Sequence, residues 1–265
     1  MKYYSHILLN LFFLSIILSA DFPDKTQLIR KNSVAKTIGR EDRKDGVHSG
    51  NRVLTRIYNH GAIGDLSSSF SGVYPIGSGH AYIFEFSPII AASVVDANGF
   101  RKHIISDGTI GLTDNSPEGT PWGFEPLTGY ANPNQENLAM SDNENSWPDT
   151  WPNRASDWDG EWNGQYGKYV RADQESYFVV DDYYNSEFEF WPDENDIPQD
   201  TTAAPDNHRR GLGIQLDVRG YQWNHPAAED ILIVTYWITN VGTSVLDSVV
   251  FGMYGDADVG GPSSF

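Results

Sequence analysis

The sequence predicts an all-β fold, mostly antiparallel and closed as a β-sandwich with long ordered loops, on three observations. From Asn51 onward apolar and polar residues alternate in short runs, the period of a strand with one face buried. Glycine, asparagine, proline or aspartate punctuates those runs at short intervals. No stretch carries the sustained i, i+3, i+4, i+7 apolar stripe of an amphipathic helix.

Alternation places strands at 52–58, 80–86, 89–95, 103–106, 176–180, 187–191, 212–218, 231–239 and 245–254. Between two of these runs lies Ala97-Asn98-Gly99, and Asn-Gly is the pair a type I′ hairpin prefers because both central residues need positive φ. Asn240-Val241-Gly242-Thr243 is expected to join the last two strands as a second hairpin. Residues 115–170 read differently. Trp122, Trp147, Trp151, Trp158 and Trp162 sit there among prolines and glycines, which excludes a regular helix and predicts long loops stapled down by aromatic side chains.

The first twenty residues have the layout of a secretory signal peptide: Lys2, an apolar run over 7–18, then Ser19-Ala20 before Asp21. That run is shorter than the ~17–25 residues a membrane-spanning helix needs, so export with cleavage near Ala20 is expected, without a permanent membrane span. Residues 21–50 carry many charges and few large apolar groups and are expected to form a flexible leader. Residues 51–265 then form the β-rich domain, expected to be incomplete at its C-terminus, since its last hairpin would leave an unpaired strand. The net charge is −18, from 36 acids and 18 Lys or Arg. Such a surface repels polyanions and argues against nucleic acid as a partner. With no cysteine present, disulfides, thiolate nucleophiles and zinc–thiolate sites are excluded.

Sequence motifs for familiar catalysis are missing: there is no G-x-S-x-G, H-E-x-x-H, P-loop or G-x-G-x-x-G. The histidines at 48, 60, 80, 103, 208 and 225 lack metal-ligand spacing. Acidic residues are concentrated, with 16 Asp or Glu against three Lys or Arg over 141–200. Crowded carboxylates repel, and a hard cation relieves that repulsion. The candidate calcium ligands are Asp157 and Asp159 in Asp157-Trp158-Asp159-Gly160-Glu161, and Asp256 and Asp258 before Gly260-Gly261; Asp181-Asp182 is a further acidic pair. None completes an EF-hand loop, and the competing reading is a solvated acidic face. Trp147, Trp151, Trp158 and Trp162 are candidate ligand-binding residues, because flat aromatic faces stack on sugar rings; the competing reading is that they staple the loops onto the sheet.

A set of phrases carries a family resemblance. It runs through Asn51-Arg52-Val53, Gly77-Ser78-Gly79-His80, Trp122-Gly123-Phe124-Glu125-Pro126, Gly129-Tyr130-Ala131-Asn132-Pro133, Ala172-Asp173-Gln174-Glu175-Ser176-Tyr177, Arg219-Gly220-Tyr221-Gln222-Trp223 and Phe251-Gly252-Met253-Tyr254-Gly255-Asp256. In these the chain resembles the N-terminal region of large uncharacterised exported proteins of Bacteroidetes-type bacteria. The resemblance implies a multi-module protein that continues into further β-sandwiches and a type IX secretion sorting domain, on the cell surface or outside the cell. It brings no catalytic residues. The function expected is therefore a non-catalytic adhesion or ligand-binding module for carbohydrate or another surface ligand. The alternatives are a secreted polysaccharide hydrolase using paired carboxylates of 141–200 and a structural spacer of the envelope.

Overall fold

Alternating burial along the extended segments divides the chain between two sheets, as the computed structural model shows. It describes residues 40–65, 69–96, 98–109, 122–193, 195, 197 and 208–258. The signal-like segment and residues 21–39 lie outside the described residues, as do 110–121, which include the start of the tryptophan-rich stretch. The strands are β1 (Asp45–His48), β2 (Thr55–Tyr58), β3 (Glu85–Val95), β4 (Arg101–Asp107), β5 (Glu125–Pro126), β6 (Ala139–Met140), β7 (Gln174–Asp181), β8 (Ile214–Gln222), β9 (Ile233–Asn240) and β10 (Asp247–Asp256). No helix among the described residues is long and apolar enough to cross a membrane.

The fold is all-β and sandwich-like, and its strand pairs are antiparallel. One sheet has the order β10-β3-β4, with the β1–β2 pair joined to it through bridges at Ile63. The other has the order β5-β7-β8-β9, with β6 also on β7. Ile90, Ala92 and Val94 of β3 and Ile104 of β4 meet Phe178 and Val180 of β7 and Leu216 and Val218 of β8 in the core between them. These are period-two positions, so each strand sends alternate side chains into the same apolar layer.

β7 is buried along its whole length, all eight residues. Its Phe178 and Val180 face the sandwich core, while Tyr177 and Val179 face a second cluster with Tyr130, Trp151 and Trp162. The tryptophan-rich loops thus form a third layer over the outer face of this sheet, as the expected aromatic stapling requires.

Several local expectations give way to competing interactions. Residues 240–243 do not close a hairpin. β9 stays with β8, whereas β10 crosses to β3 in the other sheet. The amides of Val241 and Gly242 donate to Gly213 O, and those of Thr243 and Ser244 to Pro192 O. Gly213, at φ +75°, lets the crossing chain approach so closely that a Cβ there would lie 3.1 Å from Gly242 Cα. At the β3–β4 turn Gly99 has positive φ, 81°, and Asn98 does not. Asp96 and Phe100 pair at the base, and Asp96 Oδ1 accepts the amides of Asn98 and Phe100, a three-residue loop in place of the two-residue type I′ turn. Residues 187–191 form no strand, since Arg210 claims the carbonyls of Phe188 and Phe190 and lies 4.5 Å from the Trp191 ring centroid. The 80–86 strand begins only at Glu85, and it runs on through Pro88 as one eleven-residue β3.

The flexible leader expected over 21–50 is corrected at its C-terminal end. Residues 40–50 belong to the fold: Arg43 makes a bidentate ion pair with the buried Glu125 at 2.6 and 2.8 Å, and β1 pairs with β2. The following segment is held by two glutamines that face each other across β7 and β8. Gln174 Oε1 accepts the amides of Ser49 and Gly50, and its Nε2 donates to Val47 O. Gln222 Oε1 accepts Gly50 N, and its Nε2 donates to Asn51 Oδ1 and Val53 O. Only glycine fits at 50, where a Cβ would meet Gln174 Cβ at 2.7 Å.

His48 anchors this entry. Fully buried, it shares a 2.8 Å hydrogen bond between Nε2 and Ser176 Oγ, and a Cβ at Gly220 would lie 2.6 Å from that same nitrogen. Burial pushes the imidazole pKa down from 6.5 to about 4. The folded protein then holds fewer protons at this site than the unfolded chain between those values, so stability is complete above pH 6.5 and is lost as pH falls toward 4. The expected loss from this group alone is about 3 kcal/mol. Urea unfolding at pH 7 and pH 4 should show a fall in stability that is smaller by about that amount in His48→Gln; equal slopes in both proteins would contradict the assignment.

Candidate functional site

The outer face of the β7–β8 sheet and its aromatic layer hold the densest array of chemically versatile side chains. Trp151 and Trp162 cross edge-on, with centroids 5.9 Å apart at 88°, and Tyr130 meets Tyr177 edge-on at 5.8 Å. The indole N–H groups of Trp147, Trp151 and Trp162 have partners, as buried indoles require. Trp147 donates to Met140 O, Trp151 to Glu161 O, and Trp162 to Glu175 Oε2 at 2.7 Å. The other Glu175 oxygen accepts the amides of Arg171 and Ala172, so one buried carboxylate ties the loop to the sheet.

Beneath the indoles runs a polar chain. Tyr177 O–H donates to Asp217 Oδ2 at 2.9 Å and accepts from Asn153 Nδ2 at 2.7 Å. Arg219 lies 3.7 Å from the Tyr177 ring centroid and donates to Asn163 O. Arg154 donates to Asn163 Oδ1 and Gly164 O while stacking 4.2 Å from the Trp158 centroid. Burial raises the Tyr177 hydroxyl well above its ordinary value, with the Asp217 charge adding to the shift. These groups are saturated by one another and hold the loop in place.

The four candidate tryptophans are therefore brought together, but as a staple. Trp151 and Trp162 are each only 2 % exposed and offer no face to a ligand. Trp147 is partly covered, and Trp158 has Arg154 above its ring. What the loop does expose is a pair of tyrosines, Tyr166 (57 %) and Tyr169 (50 %), bracketing Arg171, whose guanidinium carbon lies 5.2 and 4.9 Å from their centroids. Arg171 also donates to Tyr169 Oη, and its carbonyl accepts Trp223 Nε1. Trp223 in turn stacks on Tyr221 at 5.6 Å and 13°, and Tyr221 donates to Gln165. Gly164 and Gly167 close the loop, with a Cβ at 167 falling 2.5 Å from the Tyr169 ring. The result is an aromatic shelf that the tryptophan pattern alone did not indicate.

The candidate calcium ligands fall in two places. Asp157 and Asp159 lie at the turn Ser156–Trp158 in the aromatic layer, where Lys168 Nζ sits 2.8 Å from Asp157 Oδ2. Asp256 ends β10 and Asp258 follows it, in the other sheet. Among the described residues no three His, Asp or Glu side chains form a group that could hold a metal ion. The Asp181-Asp182 pair is fully buried and engaged. Asp181 takes Arg209 at 2.6 and 3.1 Å and Gln215 at 2.7 Å. Asp182 accepts the amides of Leu212, Gly213 and Ile214 and the Ser106 hydroxyl. Burial, then the neighbouring Asp181 charge, pushes Asp182 up to about 6. Both carboxylates hold the loop before β8 and neither faces open space.

A different opening lies where the chain crosses between the sheets. A groove of about 840 Å³ there is lined by Ile214, Ile238, Val245, Leu246 and Val249, among others. No family model, curated protein or solved structure matches the chain.

The staple and the shelf differ in what truncation costs. Trp162→Ala should destabilise the protein by about 3–5 kcal/mol, the range for a buried aromatic, whereas Tyr166→Ala should stay within about 0.5 kcal/mol. Chemical denaturation of both variants checks this, and comparable costs at the two positions would contradict the separation.

Proposed function

We propose that the chain is a non-catalytic, exported binding module that holds neutral carbohydrate on the shelf of Tyr166, Tyr169, Arg171 and Trp223. The observation that carries this reading is the exposure of two tyrosine rings on a loop that is otherwise fastened through Trp162, Glu175 and Arg154. Exposed aromatic rings held without mobility present flat apolar faces to the C–H face of a sugar, and their ordering cost is met before the ligand arrives. Arg171, Gln165 and Asp173 stand nearby in sequence to hydrogen-bond hydroxyl groups. A net charge of −18 disfavours polyanionic glycans, so the ligand class is neutral. The signal-like first twenty residues support an extracellular or cell-surface location, and the resemblance to N-terminal regions of multi-module exported proteins supports a role as one module of a larger assembly.

Affinity electrophoresis and calorimetry against a panel of neutral and acidic soluble polysaccharides test the reading. A neutral glycan should bind, and the double variant Tyr166→Ala/Tyr169→Ala should lose roughly tenfold or more in affinity with its melting temperature preserved. Absence of binding across the panel, or an unchanged affinity in the double variant, would overturn it.

A further inference from the structure

The stretch that carries β1 onto the sandwich is a short strap between fixed points. On one side Asn59 holds the backbone of Asp42 and Lys44, and Leu138 N donates to Asp45 O. On the other, Asn51 Nδ2 donates to the carbonyls of Ala228 and Ile231. Residues 46–50 lie between them. They are held by the β1–β2 ladder, by the side chains of Gln174 and Gln222, and by His48.

The His48 imidazole is fully buried and only half satisfied. Its Nε2 meets Ser176 Oγ, which also accepts the amide of Gly220 at 3.2 Å, and its Nδ1 has no hydrogen-bond partner. Gln222 stands beside the ring but is committed elsewhere, its oxygen to Gly50 N and its nitrogen to Asn51 Oδ1 and Val53 O. Among the described residues no carboxylate faces the ring. β2 sets Thr55 opposite it, β7 presents Gln174 and Ser176, and β8 presents Gly220 and Gln222. Charged neighbours are engaged in other directions: Glu175 with Trp162 Nε1, Arg219 with Asn163 O, Arg43 with Glu125, Lys44 with Gln135 O, and Asp45 with Arg56 at 3.4 Å. Asp142 accepts the Gln174 side-chain amide at 2.8 Å, and the buried His60, in the turn after β2, lies against the Tyr58 ring at 5.3 Å. A neutral ring tolerates such a site. An imidazolium carries an N–H on each nitrogen and a full charge, and here it finds neither a second acceptor nor an anion.

We infer that residues 46–50 form an acid-opened strap: protonation of His48 lifts this stretch from the inner face of β7 and β8 while the rest of the sandwich stays folded. The floor uncovered by the movement is polar, made of Gln174, Ser176 and Gln222, so water replaces the lost hydrogen bonds at far lower cost than parting the apolar layers of β3 and β7. The ring's pKa is pushed down from 6.5 to about 4 in the closed form and is ordinary in the open one. Opening is therefore unaffected above pH 6.5 and grows as pH falls, by roughly a hundredfold at pH 4.

Amide exchange of the full chain at pH 7 and pH 4, corrected for intrinsic rates, tests the strap. Ser49 and Gly50 should be less protected than Phe178 and Val180 at both pH values, and their protection should fall roughly a hundredfold between the two. His48→Gln can keep a hydrogen bond to Ser176 without titrating, and in it that fall should be largely abolished. Nitrogen NMR of the imidazole in the parent protein gives a readout that needs no variant: the ring should gain its charge over the pH range in which Ser49 and Gly50 lose protection. The proposal is overturned by protection of Ser49 and Gly50 equal to that of Phe178 and Val180 at both pH values, by a fall that persists in folded His48→Gln, or by a ring that charges while the two amides stay protected.

Discussion

Burial of β7 on both faces is the constraint on which the rest of the structure depends. A strand in a two-layer sandwich commonly shows one face to solvent, but here Phe178 and Val180 supply the inter-sheet core while Tyr177 and Val179 seat Trp151, Trp162 and Tyr130. Two apolar layers share one backbone. The long loop between β6 and β7 is consequently part of the fold, because its indoles remove the outer face of the sheet from water. Polar groups drawn into that layer must then be satisfied, and the chain from Asn153 through Asn163, Arg154 and Arg219 to Tyr177 and Asp217 does so with side chains and carbonyls.

The same demand explains several other buried polar groups. Gln174 and Gln222 satisfy backbone groups of the segment after β1, Glu125 receives Arg43, and Asp182 collects three consecutive amides of the loop before β8. Each is an irregular stretch of chain whose hydrogen-bonding groups would otherwise be stranded against the core. Acidity in this protein thus divides into two uses. Asp181, Asp182, Glu125 and Glu175 are internal fasteners, whereas Asp157, Asp159, Asp247 and Asp258 lie at or near the surface.

Much of the fold was legible because period-two burial is a local property: β2, β4, β7, β8, β9 and β10 lie where alternation places them, to within a few residues at their ends. What was not legible was set by partners remote in sequence. The crossing at 241–244 depends on carbonyls of Gly213 and Pro192, and the loss of a strand at 187–191 depends on Arg210. The entry of residues 40–50 into the fold depends on Glu125, Gln174 and Gln222, more than eighty positions away. At the site, of the two readings that the tryptophans allowed, their burial selected stapling over stacking. Tyr166 and Tyr169 are the exposed rings, on a stretch where Gly164 packs against the carbonyls of Gly167 and Tyr169 and Gly167 against the Tyr169 ring.

Amide hydrogen exchange resolved by residue tests the two-sided burial of β7 most directly. Tyr177, Phe178, Val179 and Val180 should exchange only through global unfolding and be the slowest amides in the chain, well behind those of β9 and β10. Exchange of these four amides through local opening, at rates like those of the edge strands, would contradict the central place given to β7.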